Sequence, residues 1–273
     1  MARVQLNNGK VLKLKSRNPI IDFDKLQLYF RNPYEIDLDG VEGKITITQP
    51  SIGDIVELGE KRFYSTLNVF TTNTTAFRLQ LWDQGIDWNE ISDFDLFMLL
   101  IGTADPDVYH RFLPDLDFSK FGRFMKRRQD SEESYSILYD QENNIEIDEQ
   151  VYFHISQYLR IIFNTNPEEK MTSDNIMKRW FIEKDRRELK NKEFMKKSES
   201  DSGLLPIISA CVNHPGFKYK SSELKELGVY QFYDSVKRLQ VYEATTALQK
   251  GMYSGFMDSS KIKPDDYNFM KEI

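Results

Sequence analysis

The 273-residue sequence contains a single cysteine, Cys211, so the chain cannot form an internal disulfide, and nothing marks an oxidising compartment. Histidine is nearly as scarce at three residues, which leaves few ligands for a transition metal. Long apolar runs are missing as well. The one that ends at Ile101 falls far short of the ~20 residues that span a bilayer. The opening stretch MARVQLNNGKVLKLKSRNP has no apolar segment of signal-peptide length, so the expected address is the cytoplasm, with no membrane partner. Net positive charge is lacking: Lys and Arg total 37 against 43 Asp and Glu, a formal charge of −6. That balance argues against bulk attraction to nucleic acid, although a local basic patch can still bind it. Phosphate-cradling glycine loops and the G-x-S-x-G nucleophile elbow are also absent.

Aromatic side chains are abundant, with 19 Phe and 14 Tyr, and 40% of residues are apolar. Such a chain can bury a substantial core and has no composition bias toward disorder. The pattern along it predicts an α+β fold, predominantly α-helical, with short antiparallel hairpins near 3–15 and 121–147. Val4 and Leu6 alternate with polar neighbours before the turn residues Asn7, Asn8 and Gly9, and Val11 to Leu14 resume the strand pattern. Residues 16–43 read as irregular, and Lys44 to Thr48 alternate as a further strand.

Pro50 ends that strand, and Ser51 with Asp54 forms an Asp variant of the capping box ahead of a helical region carrying Phe63, Leu67 and Phe70. Thr74 is expected to open a helix closed by Gly85, and Ser92 to cap a helix over 93–101. Asp148 caps an amphipathic helix whose stripe is Val151, Ile155, Leu159 and Ile162. A polar helix is predicted over 173–197, then a linker at 198–203, an apolar helix over 204–212, a short helix from Ser222 to Gly228 and a long one over 230–250. Three regions follow: 1–120, 121–200 and 201–273. Two lobes are expected, with the boundary near 120, 165 or 200.

Three arrangements bear on chemistry. Acidic pairs recur at Asp22/Asp24, Asp37/Asp39, Asp93/Asp95, Asp105/Asp107 and Asp115/Asp117. On a strand such a pair shares a face and can hold Mg²⁺, and Pro114-Asp115 with Glu168-x-Lys170 mimics a nuclease signature. The pairs fall mostly at turns and helix starts, however, where Asp caps amides without any metal. Cys211-x-x-His214 spaces two zinc ligands by one helical turn, with His110 and His154 elsewhere. One such pair is half of a structural site, and Cys211 sits in an apolar run. These readings leave the chain without catalytic residues, bound metal or cofactor, and the expectation is that it is not an enzyme.

The third arrangement is basic. Between Lys178 and Lys197 there are nine Lys or Arg against four Asp or Glu. Lys178, Arg179, Trp180, Arg186, Arg187 and Lys190 are the residues expected to contact a protein partner or nucleic acid, with Trp180 and Phe181 able to stack. The plain alternative is a solvated helix face laced by i,i+4 pairs. The stretch 129–150, with eight acidic residues and no basic one, is the natural candidate to face it.

The segments KITITQPSIGDIVELGEKRFYSTLNVF (44–70), LWDQGIDWNEISDFDLFMLLI (81–101) and VKRLQVYEATTALQKGMYSGFMDSSKI (236–262) together resemble tail morphogenesis proteins encoded by tailed phages of Gram-positive bacteria. The resemblance covers about half the chain and lies in apolar and turn residues. It implies a tail-assembly chaperone or tail-associated factor that holds tape-measure or tail-tube protein in the host cytoplasm or the virion. The alternative from the residues themselves is a nucleic-acid-binding accessory protein using 178–197, and a third class is a Mg²⁺-dependent nuclease dependent on Asp115.

Overall fold

A computed structural model describes residues 3–5, 11–13, 21–36, 44–127, 134–195, 202–255 and 262–271; side chains are described for the same segments except 3–5, 11–13 and 192–195. The fold is helix-rich α+β, as expected. Strands β1 (Arg3–Gln5) and β2 (Val11–Lys13) pair antiparallel, which places the first hairpin where the alternation predicted it. The helix α1 (Lys25–Tyr29) follows, capped by Asp24, whose carboxylate accepts from the amides of Leu26 and Gln27. Next come β3 (Tyr34–Ile36) and β4 (Ile45–Ile47), a second antiparallel pair. Reading 16–43 as irregular therefore missed one helix and one strand. Both are short, and β3 has one buried side chain, Ile36, so there is no period long enough to register.

The helical region after Pro50 divides in two. The helix α2 (Ile52–Leu58) starts on the Ser51–Asp54 capping box, and α3 (Glu60–Thr71) begins after Gly59, whose φ of 86° only glycine adopts readily. After α3 the chain turns through 74–77 before α4 (Arg78–Asp83), so that helix starts four residues later than Thr74 suggested. Gly85 stops it at φ 78°. The helix α5 (Asp93–Leu100) has the expected Ser92 cap with Asp95 at its third position. A short α6 (Pro106–Tyr109) leads to the sheet β5 (Gly122–Arg127), β6 (Ser134–Asp140) and β7 (Ile145–Ile147), antiparallel in that order.

Among the described residues five α-helices follow: α7 (Glu149–Ile162), α8 (Asn175–Met195), α9 (Leu204–Val212), the four-residue α10 (Ser221–Leu224) and the long α11 (Val229–Tyr253). Most of the linker at 198–203 lies outside the described residues. No helix among them is long and apolar enough to cross a membrane.

The main core is organised around α3 and α7. Phe63, Leu67 and Phe70 of α3 meet Val151, Ile155, Tyr158, Leu159 and Ile162 of α7, all at most 2% exposed. Aromatic rings knit the layers: Phe97 stacks on Tyr152 at 4.7 Å, and Phe70 meets Phe112 edge-on at 5.2 Å. Leu204, Leu224, Leu227, Val229 and Phe232 from 204–232 belong to this same core.

Backbone hydrogen bonds add to this shared packing where 203–233 docks onto 49–64. Ile52 and Gly53 donate to the carbonyls of Leu227 and Lys225, each at 2.9 Å, and Val229 donates to Pro50 at 3.2 Å. Gly53 makes this approach possible, since a Cβ there would lie 2.7 Å from the Lys225 carbonyl oxygen. At the N-terminus of α9 the Gly203 cap has no side chain, and Ser202 Oγ accepts from the Leu205 amide at 2.8 Å. Glu60 adds a remote cap: its Oε1 accepts from the amides of Gly203 and Leu204 at 2.9 and 3.0 Å, and Ser202 donates to Oε2.

Candidate partner-binding surface

A second, smaller core seats the basic helix α8. Leu79, Leu81, Trp88, Leu96 and Ile182 are buried together, with Phe77, Trp82 and Phe181 packed around them. The segment leading into α8 is strapped down by side chains from 73–89. Trp88 Nε1 donates to the Lys170 carbonyl at 3.0 Å, Asn73 Nδ2 to that of Glu168 at 3.1 Å, and the Thr172 amide donates to Asn89 Oδ1 at 3.3 Å. Asp174 then caps the helix by accepting from the Ile176 amide at 2.8 Å.

Ion pairs rim the seat. Arg78 forks onto Asp185 through Nε and Nη2, both at 2.5 Å, while its guanidinium lies 4.9 Å from the Phe181 ring centre. Lys178 pairs with Asp87, and Arg186 with Asp83. Burial works to raise the Asp87 carboxyl, but the hydrogen bonds from Lys178 and Asn89 outweigh it and hold the group below its usual range.

The six residues singled out from the sequence therefore separate. Lys178 is spent on the seat, its side chain only 12% exposed, and Arg186 is tied to Asp83. Arg187 reaches Glu183 one turn back at 3.6 Å, in an exposed pair worth little. Arg179, Trp180 and Lys190 face solvent, with Trp180 53% exposed, edge-on to Phe181 at 5.4 Å and with the Lys184 ammonium 5.7 Å from its ring centre. Among the described residues, the acids that Lys178 and Arg186 meet lie outside the acidic stretch. Among the described residues Glu142 pairs with Lys120 and Glu146 with Lys126, within and beside its own sheet. The partners of α8 are Asp83 and Asp87, separated from Arg186 and Lys178 by about a hundred residues, and charge counting over a window cannot see them.

What the sequence did not signal is how much of α8 is left uncovered. Its 21 residues make a rod about 31 Å long, whereas the six of α4 span about 9 Å. Leu189 continues the row of Lys178, Ile182 and Asp185, yet it is 47% exposed because the helix has run past its support. On the outer side Ile176 is 77% exposed, one turn from Trp180. The surface is thus apolar islands set among Arg179, Arg187 and Lys190.

Asp24, Asp95, Asp105 and Asp117 each cap a helix or turn start. Glu168 pairs with Lys170 at 2.7 Å in the strap, not on a strand. Cys211 is buried, His214 faces Glu243 at 3.3 Å, His154 meets the Tyr34 hydroxyl at 3.0 Å, and His110 meets the Leu116 carbonyl at 3.0 Å. Among the described residues no three His, Cys, Asp or Glu are grouped to hold a metal.

Residues 195–273 match the model of the YomV second domain. The match points to a phage-type protein. No curated protein and no solved structure matches the chain. The YomV-matching segment contains α9, α10 and α11, the part that docks on Pro50, Ile52, Gly53 and Glu60 and shares the main core. The seat of α8 lies almost wholly outside it, since only Met195 of that helix falls within the match.

Proposed function

We propose that this chain is a non-enzymatic phage morphogenesis protein, a tail-assembly chaperone or tail-associated factor, whose partner is a tape-measure or tail-tube protein. The observation that carries the reading is the outer face and overhang of α8, where Ile176, Trp180 and Leu189 stand exposed among basic side chains on a helix clamped at one end. A rigid helix presenting an aromatic anchor loses little entropy on binding, and Trp and Arg are the residues on which interfaces most depend. The phage-type match of 195–273 supports the setting.

Nucleic-acid binding is the second reading, favoured by Arg179, Arg187 and Lys190 beside Trp180. It is weakened because Asp87 and Asp83 already neutralise Lys178 and Arg186. The test is capture of the tagged full-length chain from phage-infected cells, with and without nuclease, alongside Trp180→Ala. Nuclease-resistant recovery of tape-measure or tail-tube protein that drops at least tenfold in Trp180→Ala supports the proposal. Partners that vanish with nuclease, or capture indifferent to Trp180, overturn it.

A further inference from the structure

The sheet β5–β6–β7 ends on a strand that is uncovered among the described residues. Strand β5 pairs along its whole length with β6, from Gly122 opposite Tyr139 to Arg127 opposite Ser134, and among the described residues no strand lies on its other side. Residues 123–127 are exposed without a break, Met125 by 67% and Phe124 by 40%. Side chains alternate across a strand, so an unbroken exposed run means that both faces are in solvent. The register explains why. Arg123, Met125 and Arg127 lie on the face that holds Leu138 and Ile147, and these two are buried while the three are not. The body closes on β6 and β7, and β5 overhangs it. Its six residues present about 20 Å of main-chain donors and acceptors.

We propose that the outer edge of β5 is a strand-addition site for an extended segment of another protein bearing acidic side chains at alternate positions around an apolar one. Charge selects that occupant. The strand carries Arg123, Lys126 and Arg127 and no acid. Lys126 is already bound to Glu146, at 2.7 and 2.9 Å, on the opposite face. Arg123 and Arg127 remain, flanking Met125 in a basic–apolar–basic row. A strand added at the edge sets its own alternate residues beside this row, where acid–apolar–acid is the complement.

The same chemistry disfavours a second copy. Twofold pairing of the whole strand sets Arg123 opposite Lys126 of the other copy, like charge against like. Joining β5 to the far edge of the sheet fares no better, because β7 is three residues long with Ile145 and Ile147 buried. Nucleic acid supplies phosphates for the arginines but not the alternating amides and carbonyls that an edge strand pairs with. The site is independent of α8, so failure of one leaves the other standing.

The probe is a short labelled peptide with Glu, Val and Glu at alternate positions and Thr between them, and its control has Lys in place of Glu. Both are titrated into the full-length chain by fluorescence anisotropy, with hydrogen exchange followed at residues 123–127. The expected result is about tenfold preference for the acidic peptide, weakening with salt, and slowed exchange confined to β5 and the residues beside it. Arg123→Glu combined with Arg127→Glu should invert the preference and leave the melting midpoint unchanged, since both side chains are exposed. Slowed exchange elsewhere, a preference untouched by the double substitution, or displacement of the peptide by an oligonucleotide that itself protects β5 would each overturn the proposal.

Discussion

Glu60 offers the sharpest test of how the C-terminal helices are held. It sits at the start of α3, yet its carboxylate caps α9, accepting from Gly203 and Leu204 and receiving the Ser202 hydroxyl. Glu60→Ala removes the acceptor of two amides at a helix N-terminus. Loss of an N-cap costs about 1 kcal/mol, within a range of about 0.5–2. Removal of negative charge from the N-terminal end of the dipole adds about 0.3–1. The sum is about 0.8–3 kcal/mol. Glu60→Gln keeps an acceptor oxygen without the charge and should cost roughly half as much. Two assays separate local from global effects. Urea denaturation reads the total, and amide exchange at 203–207 should accelerate about 4- to 160-fold if α9 frays before the core opens. Unaltered exchange at 203–207 in both variants would refute the capping role. Equal losses in Ala and Gln would refute the charge contribution.

Gly53→Ala should destabilise by about 1–2 kcal/mol in a denaturant titration: a helix interior ordinarily gains about 1 kcal/mol from this change, but the new Cβ meets the Lys225 carbonyl 2.7 Å away. Trp88→Phe keeps a ring in the second core but removes the shorter of two hydrogen bonds to the Lys170 carbonyl, leaving that from the Thr75 hydroxyl at 3.4 Å, so thermal denaturation should show a loss of about 1 kcal/mol, whereas Trp180→Ala, at an exposed site, should stay within about 0.5. The carboxyl of Asp87 is held below its ordinary value of about 4 in the fold, so its stabilisation is complete above that value and is lost as the pH falls through the lower folded one. Tryptophan fluorescence should therefore report loosening of α8 on acidification below about pH 4, and Asp87→Asn should flatten that step while loosening the helix at neutral pH.

The features legible in the sequence are those made within one turn of chain. Ser51 with Asp54, Ser92 with Asp95, and Asp148 each cap the helix that follows, because donor and acceptor are three residues apart or fewer. The stripe of α7 and both expected hairpins were visible for the same reason, a side-chain period sustained over several residues. Even the polar helix 175–195 and its exposed Trp180 could be read in outline.

Tertiary structure decided what those elements meet. Lys178 and Arg186 looked like free contact residues, and only the fold brings Asp87 and Asp83 beneath them. Leu189 reads as a core position, and its exposure depends on where α4 stops. Strand β5 alternates like any hairpin arm, and nothing local says that the body ends one strand short of it. Glu60 caps a helix 144 residues away in sequence. Capping and periodicity are short-range interactions written into neighbouring residues. Pairing of charges, coverage of a face and remote capping depend on the path of the whole backbone, and no window of sequence contains that path.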